Sequence, residues 1–402
     1  MILQRIIGEL CILKHRASAT ENEQRAATHL LHFMRTIGLT AHVEEFKSQQ
    51  RYSWELIFIT TLFLVQAGWC FVSPLSSIII GLIGLTLFWG HFTTRFKPLA
   101  FLFRFVKSQN VVGRKQNKDA PFKIIFTAHY DSARSGLLWH PKNVSKFRFN
   151  FLFGVGIILT LFFLCLLKLA GFNNLLVTLL ISLCGAHILG QIIVLLSSAI
   201  TGKPVEGASD NASGVAVMLE LARRLKKMSF PEIEFWFVAT GSEEVGAIGM
   251  TEFLKAYSHE FNKRQTFFIN IDNNGSGNLH YYLGEGMLNF YKFSPKLIEA
   301  AEKTAKDKKF KAVTRAKYTL AYTDAIVPAS RGFQAILLLA TDDYGLIPNW
   351  HWHTDTIDNI NIEVPKLAAD FCLALINNLK KELDRILVNS RREKIVIEEK
   401  NE

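Results

Sequence analysis

The chain has 402 residues, which is enough for one large domain or two ordinary ones. Apolar residues make up 49% of the sequence and charged residues only 20%, which is too apolar for a typical soluble enzyme and favours a membrane protein. The net charge of +11 is not accompanied by a basic stripe with interleaved aromatic residues, so it indicates a lipid surface and argues against a nucleic-acid partner.

The N-terminal segment, residues 1–53, is predicted to be the first part of a soluble domain. Its opening sequence has a short apolar stretch that charged residues interrupt, and it lacks the core and cleavage site of a signal peptide. Residues 20–46 begin at a Thr/Glu-rich cap typical of a helix and continue as an alternating strand.

Two pairs of apolar segments predict two transmembrane helical hairpins. The first hairpin, residues 54–93, turns at Ser73 and Pro74, and the second, residues 149–200, turns at the sequence KLAGFNN. Each apolar run is close to the ~17–25 residues that a helix needs to cross a bilayer. The sequence therefore predicts four spans that interrupt one soluble domain.

The distribution of basic residues predicts the orientation of these spans. Those at the outer ends of the hairpins are Lys47, Arg51, Arg95, Lys97, Arg104, Lys107, Lys142, Lys146, Arg148 and Lys203. The two turns contain only Lys168, so the positive-inside rule predicts an integral multi-pass protein whose soluble domain and termini are cytoplasmic. The absence of a CxxC pair among five cysteines agrees with a reducing compartment. His187 and Gln191, one turn apart in the fourth span, are expected to form hydrogen bonds between helices.

Residues 94–148 and 201–388 carry the rest of the soluble domain. Compact apolar runs predict strands in KIIFTAHYD, EIEFWFVATG, TFFINIDNNG and QAILLLATDD. Helical stretches such as NASGVAVMLELARRLKKM lie between them, so the predicted fold class is α/β, with a mostly parallel twisted sheet flanked by helices. Residues 389–402 are highly charged and are predicted to form a tail.

Possible metal ligands follow three of the predicted strands and lie in two loops. They are His129 and Asp131 in FTAHYDS, Asp210 in EGASDNASG, Glu243 and Glu244 in ATGSEEVG, Asp272 in INIDNNG, and His351, His353, Asp355 and Asp358 in HWHTDTIDN. Sites of open α/β sheets form outside the carboxyl ends of the strands, where the strand-borne groups fall. Each residue alone has an ordinary explanation, such as a helix cap for Asp210. Together, two histidines and three carboxylates are what a pair of divalent metal ions needs.

The same set offers groups for roles beside the ligands. Zinc suits imidazole and carboxylate ligands. The sequence contains no HExxH motif, which would have indicated a site for one zinc ion on a helix. One carboxylate of the Glu243–Glu244 pair is free to act as a general base. Asp131, two residues after a ligand histidine, fits the role of holding the other ring nitrogen.

The order H-x-D, D-N-x-S-G, E-E-x-G, D and finally H-T followed by D, in HTDTID, resembles that of the M28 metallopeptidases, an aminopeptidase group with two catalytic zinc ions. The resemblance covers about residues 20–50, 108–135 and 204–385. It implies two Zn²⁺ ions per chain, a dizinc exopeptidase-like fold and a peptide substrate. The site roles it implies are His129 and Asp272 on one zinc ion, Glu244 and His353 on the other, Asp210 as the bridge, Glu243 as the general base that activates a bridging water, and Asp131 as the residue that orients His129.

The predicted function is therefore that of a membrane-anchored zinc-dependent aminopeptidase, with three alternatives. A carboxypeptidase would need a basic residue for the substrate carboxylate, and Arg315, Lys317 and Arg331 are candidates. A glutaminyl-cyclase-like enzyme would use the same scaffold, although GSEEVG looks more like the aminopeptidase form. A non-catalytic membrane-anchored binding domain, such as a receptor or transporter, is weaker because the four spans contain few polar groups. Membrane anchoring suggests apolar peptide substrates, a hypothesis that comes from location and from no identified pocket residue.

Overall fold

The computed structural model describes residues 2–399, and one mixed β-sheet organises the soluble part. Its strands are β1 Thr40–Ser48, β2 Val106–Lys115, β3 Phe122–His129, β4 Ile233–Thr240, β5 Thr266–Asp272, β6 Asn278–Glu285, β7 Tyr291–Lys292, β8 Thr314–Tyr318 and β9 Gln334–Thr341. They lie in the order β1-β2-β4-β3-β5-β9-β6-β7, and β8 pairs with β6.

The sheet is parallel at its centre and mostly antiparallel toward both edges, where only β8 is parallel to its partner, β6. Strands β4, β3, β5 and β9 run parallel, whereas β2 is antiparallel to β1 and β4, and β6 is antiparallel to β7 and β9. The prediction of a mostly parallel sheet is therefore right for the four apolar strands that it was based on. It is wrong for the edges, whose strands carry more polar residues and were not predicted, apart from β1.

Helices cover both faces of the sheet. The helices are α1 Ile2–Cys11, α2 Glu21–Thr36, α3 Ser53–Trp69, α4 Pro74–Thr93, α5 Pro141–Val144, α6 Phe147–Leu169, α7 Leu175–Thr201, α8 Gly214–Lys226, α9 Ile248–Tyr257, α10 Pro295–Ala305, α11 Ile326–Ser330 and α12 Glu363–Glu399. Apolar residues of α1, α2, α8, α10 and α12 form the core on one face, and those of α9 and α11 form the core on the other. Helix α12 includes most of the predicted tail, of which residues 400–402 lie outside the described residues.

The two predicted hairpins are antiparallel helix pairs that pack together as a separate bundle. Their buried side chains form a third apolar cluster, which includes Phe63, Ile158 and Ile188. Many large apolar side chains on the outside of the bundle are exposed, as expected for a surface that faces lipid. Within the described residues, α4, α6 and α7 are long and apolar enough to cross a membrane, and α3 is an apolar helix of 17 residues. The first predicted span, which begins at residue 54, corresponds to this shorter helix.

Candidate metal centre

The candidate site lies at the carboxyl end of the parallel strands, where the backbone brings five segments together. His129 is the last residue of β3, Asp272 is the last residue of β5, and the 241–247 loop follows β4. Because β3 is registered with His129 opposite Thr240, the first residues of that loop start at the level of the imidazole. Asp210 lies in a kinked segment just before α8, and the 350–355 loop follows β9.

One ring nitrogen of His129 contacts two carboxylates. Its Nε2 lies 3.1 Å from Oδ1 of Asp210 and 3.4 Å from Oδ1 of Asp272. Its Nδ1 lies 3.1 Å from the backbone carbonyl oxygen of Asp131, which can only accept, so Nδ1 carries a proton. Nε2 is therefore the nitrogen that is available to a cation. All three side chains are buried.

His351 forms the second half of the site, in the place that the sequence analysis gave to His353. The Nε2 of His351 lies 3.1 Å from Oδ2 of Asp210 and 3.0 Å from Oε2 of Glu244. His353 is exposed and does not enter the cluster, so its prediction as a ligand is corrected. The reason is local: His351 has a left-handed backbone, with φ of 51°, and its ring packs 4.2 Å from the ring of Trp139.

The carboxylate of Asp131 organises the loop that carries both glutamates. Its Oδ1 accepts a hydrogen bond from the backbone N–H of Glu243 at 2.9 Å, and its Oδ2 accepts one from Glu244 at 3.1 Å. The same carboxylate is 3.6 Å from Nδ1 of His129, which instead contacts the Asp131 carbonyl more closely. Asp131 thus fixes the loop with its side chain and the imidazole with its backbone.

Asp355 links the loop of His351 to the segment of Asp210. Its carboxylate accepts hydrogen bonds from the backbone N–H of Ser209 at 2.7 Å and from that of Asp210 at 3.0 Å. Asp358, the other acidic candidate of this loop, is exposed and lies outside the cluster.

Two buried residues of the N-terminal segment support the site from behind, and the sequence analysis did not predict either. Arg16 donates to the carbonyl oxygens of Tyr130 at 2.7 Å and of Gly207 at 2.8 Å, and so joins the chain after His129 to the chain before Asp210. Glu23 accepts a hydrogen bond from the backbone N–H of Ser242 at 3.1 Å, directly before Glu243. Single charged residues in helical or loop patterns usually indicate exposed positions, so no local signal marks them.

The electrostatics of the cluster are those of excess negative charge. Burial alone would lower the pKa of His351, but Glu244 and Asp210 raise it to about 10. Burial raises the pKa of Glu244 to about 7 and that of Glu243 well above its usual range. For Asp210, burial is opposed by hydrogen bonds to both histidines, which hold its pKa well below the usual range.

The donor set fits divalent metal ions. One donor atom each from His129, Asp210 and Glu244 lie within 4.8 Å of one another. Two tetrahedral zinc ligands, each at about 2.0–2.1 Å from the ion, are roughly 3.3 Å apart, and the imidazole-to-carboxylate distances here are 3.0–3.4 Å. The buried Oε1 of Glu244 has no hydrogen-bond partner among the described residues, which leaves it available as a ligand.

The cluster opens into a cavity of about 840 Å³. Glu243, Glu244, His129 and Asp272 line it at one end, as does Tyr322, while residues of all four bundle helices line it elsewhere. Glu243 is half-buried and its side chain faces this space beside the donor set. The cavity volume is within the ~300–1,000 Å³ range of ligand sites.

Comparison with known proteins relates part of this chain to a peptidase family. Residues 187–376 match the sequence model of "Peptidase family M28", a segment that includes Asp210, Glu243, Glu244 and Asp272 but not His129. The aminopeptidase YwaD of Bacillus subtilis (strain 168) is 41% identical over 66 residues, which are 16% of this chain and 14% of that protein. The five curated relatives compared are matched over only 10% to 36% of their own length.

Solved structures extend the likeness over nearly the whole chain. A zinc aminopeptidase from Bacillus subtilis has a TM-score of 0.56 with 16% identity, covering 93% of each chain. A glutaminyl cyclase from Porphyromonas gingivalis has a TM-score of 0.57 with 12% identity, covering 93% of this chain and 96% of that one. At these identities the likeness shows the fold alone. Together with the family match, the comparisons support a hydrolase of the metallopeptidase class.

Proposed function

We propose that this chain, whose residues 187–376 match peptidase family M28, is a membrane-embedded zinc-dependent exopeptidase of the aminopeptidase type. The observation that carries the proposal is the position of the Asp210 carboxylate. One of its oxygens faces His129 beside Asp272, and the other faces His351 beside Glu244. Each half offers one imidazole and one carboxylate, with Asp210 shared, which is the donor set for two zinc ions.

Glu243 is the general base of the proposed reaction. When bound, the zinc ions would lower the pKa of a water molecule and polarise the scissile carbonyl. Glu243 lies beside the donor set and lines the cavity, so its carboxylate can accept the proton of the attacking water and deliver it to the departing amine. The hydrogen bonds from Glu243 and Glu244 to Asp131 hold the base and the adjacent ligand in fixed relation.

The positions of the basic residues bear on which end of the peptide is cleaved. Arg315 is exposed beside Glu302, and Arg331 donates to the carbonyl oxygens of Thr94 and Val327, so neither lines the cavity. Lys317 is also exposed and lines a different cavity. These positions argue against a carboxypeptidase that would hold the substrate carboxylate with those residues, and so support an aminopeptidase.

One observation favours a carboxypeptidase as second candidate. Arg51 and Arg134 line the cavity, and the buried Nη1 of Arg51 and Nε of Arg134 have no hydrogen-bond partner within residues 2–399. Such donors could hold a substrate carboxylate. Peptides blocked at one end separate the two: an aminopeptidase cleaves the C-amidated peptide and spares the N-acetylated one, and a carboxypeptidase does the reverse. A peptide with N-terminal glutamine reveals cyclase activity by release of ammonia without release of an amino acid.

We further propose that α3, α4, α6 and α7 form four membrane spans, with the soluble domain and both termini cytoplasmic. Helix α3 is short, but the segment that follows it is also apolar and has Phe71 and Val72 exposed. Cysteine labelling of intact cells tests the topology in a variant whose native cysteines are replaced. Single cysteines at Ser73 and Gly171, in the two turns, should react with an impermeant reagent, and one at Lys118 should react only after lysis.

The decisive experiment is the Glu243→Gln variant of the full chain, purified without chelators and compared with wild type. Loss of a general base costs about 10²–10⁴-fold in turnover. We expect a loss in this range on unblocked peptides, while elemental mass spectrometry finds the same zinc content, near two ions per chain. Wild-type protein that binds zinc and peptide without turnover would overturn the proposal in favour of a binding domain.

A further inference from the structure

The catalytic cluster and the membrane bundle share one continuous cavity. At one end the cavity is lined by Glu243 and the candidate ligands, and from there it extends between the helices of the bundle. We call the part lined by α3, α4, α6 and α7 the membrane gallery. Its apolar walls include Leu56 of α3, Phe88 of α4, Ile158 of α6 and Leu195 of α7. All four helices therefore contribute to the space into which the site opens.

The gallery reaches deep into the bundle. His187 lines it and lies 14 residues before Thr201, the last residue of α7, which corresponds to about 21 Å at the rise of an α-helix. Ile158 lies 11 residues into α6, or about 16 Å from its start. Because a bilayer has a hydrocarbon core ~30 Å thick, the far end of the gallery is near the middle of the membrane.

Polar groups follow the gallery along one face of α7. His187, Gln191 and Ser198 are spaced by four and seven residues, which places them on the same face, and all three line the cavity. His187 and Gln191 hydrogen-bond to each other at 3.0 Å within the one helix, so the predicted bond between helices is not the one formed. The buried Oγ of Ser198 has no partner in the described part of the chain. Gly154 of α6 leaves the room that Gln191 occupies, since a Cβ there would lie 2.5 Å from Nε2.

We propose that the membrane gallery binds an extended apolar segment of a peptide substrate, and places its terminal residue at the metal centre. The inference rests on the proposed exopeptidase function and names its substrate class. Apolar walls bind apolar side chains, whereas an extended backbone in this environment must find hydrogen-bond partners for its N–H and C=O groups. His187, Gln191 and Ser198 supply such partners at intervals. A fatty acyl chain has no groups that need them, so the lining favours a peptide.

Blocking the gallery tests its use. Gly190 lines the cavity and has open space where a Cβ would lie, and Gly156 on α6 has equal space but does not line the cavity. Gly190→Trp and Gly156→Trp, in the full zinc-loaded protein reconstituted in nanodiscs, form a matched pair. The readout is the kcat/KM for a peptide with eight apolar residues after the scissile bond, divided by that for an unblocked leucine anilide.

We expect Gly190→Trp to lower this ratio at least tenfold and Gly156→Trp to leave it at the wild-type value. An unchanged ratio in Gly190→Trp, or an equal fall in both variants, overturns the gallery. The leucine anilide reports separately on the exopeptidase. If the zinc-loaded wild type hydrolyses neither substrate, the proposed function itself fails and the gallery as its substrate site fails with it.

A second comparison tests the peptide class. The apolar peptide is replaced by an unblocked leucine amide whose nitrogen carries an alkyl chain of equal length. Wild type should prefer the peptide at least tenfold, and Gln191→Leu should remove most of this preference. Equal rates for the two substrates in wild type would overturn the assignment to a peptide and indicate a lipid-like chain in the gallery.

Discussion

At the scale of single residues, the two imidazoles of the site differ in how they are positioned. His129 ends a buried strand, so its place follows from the sheet. His351 lies in a loop, and its position depends on a left-handed backbone, on the ring of Trp139 and on the hydrogen bonds that the Asp355 carboxylate accepts. Two residues further on, the exposed His353 has the same side chain but none of these restraints.

The first prediction compares His351→Ala with His353→Ala. Loss of a group that only supports a ligand costs about 10–100-fold in metal affinity or activity, so loss of the ligand itself should exceed about 100-fold. We expect His351→Ala to bind about one zinc ion fewer and to lose more than about 100-fold in peptidase activity. We expect His353→Ala to keep the wild-type zinc content and activity. Zinc content by elemental mass spectrometry and peptidase rates decide, and a larger loss in His353→Ala would contradict the structure.

Four of the clustered donors were possible ligands by their positions after strands or before a helix, and the resemblance to the M28 peptidases selected them. His129, Asp210, Glu244 and Asp272 each stand at such a boundary. The choice between His351 and His353 was wrong because two histidines in one loop differ only in backbone conformation. Arg16 and Glu23 were missed because their partners are more than a hundred residues away, and nothing in the local sequence indicates that they are buried.

At the scale of elements, the 241–247 loop is held by both ends of the first hairpin. Gln49, before α3, donates to the carbonyl oxygen of Val245 at 3.1 Å. Lys97, after α4, donates to that of Gly246 at 2.9 Å. The element that carries the proposed base is therefore fastened to the segments that enter and leave the bundle.

The second prediction concerns Lys97, whose pKa burial lowers from 10.5 to about 8. Between these two pH values the folded protein binds fewer protons than the unfolded chain, so its stability rises with pH. Lys97→Met lacks this contribution. We expect the melting temperature of wild type, relative to Lys97→Met, to rise between pH 7 and pH 9.5 in one detergent. A difference that stays constant or falls over this range would show that the ammonium is not buried at the loop.

Elements were predictable where burial gives an unbroken apolar run. Strands β3, β4, β5 and β9 are buried along almost their whole length and were all predicted. Strands β6 and β8 include polar and exposed positions, so their patterns do not differ from those of loops. The apolar helices were predicted from length and composition. That their inner faces line a cavity was not predicted.

At the scale of the whole molecule, the site has more buried negative charge than its histidines balance. Besides the candidate ligands, the buried carboxylates of Asp324 and Glu285 lie in the same cluster, and burial raises the pKa of Asp324 to about 7. Divalent cations would relieve this repulsion. Bound metal should therefore contribute to the stability of the fold as well as to its chemistry.

The third prediction is that chelation lowers the melting temperature. A ligand present at 1,000 times its Kd adds about 4 kcal/mol to the free energy of unfolding, which corresponds to roughly 5 °C or more. Removal of metal should lower the melting temperature by this amount and zinc should restore it. The His351→Ala variant, as control, should respond less. A wild-type protein that melts at the same temperature with and without chelator would contradict a metal centre in the folded chain.

The second hairpin separates His129 from every other candidate ligand along the chain. During synthesis, His129 leaves the ribosome before α6 and α7, whereas Asp210, Glu244, Asp272 and His351 leave it afterwards. Trp139, which lies shortly before that hairpin, packs against His351 and so waits for the same later segment. A newly made chain thus holds a single donor of this set until the second hairpin has been synthesised. The proposed metal centre can therefore assemble only after the second hairpin has been made, so the proposed enzyme cannot act earlier in its own synthesis.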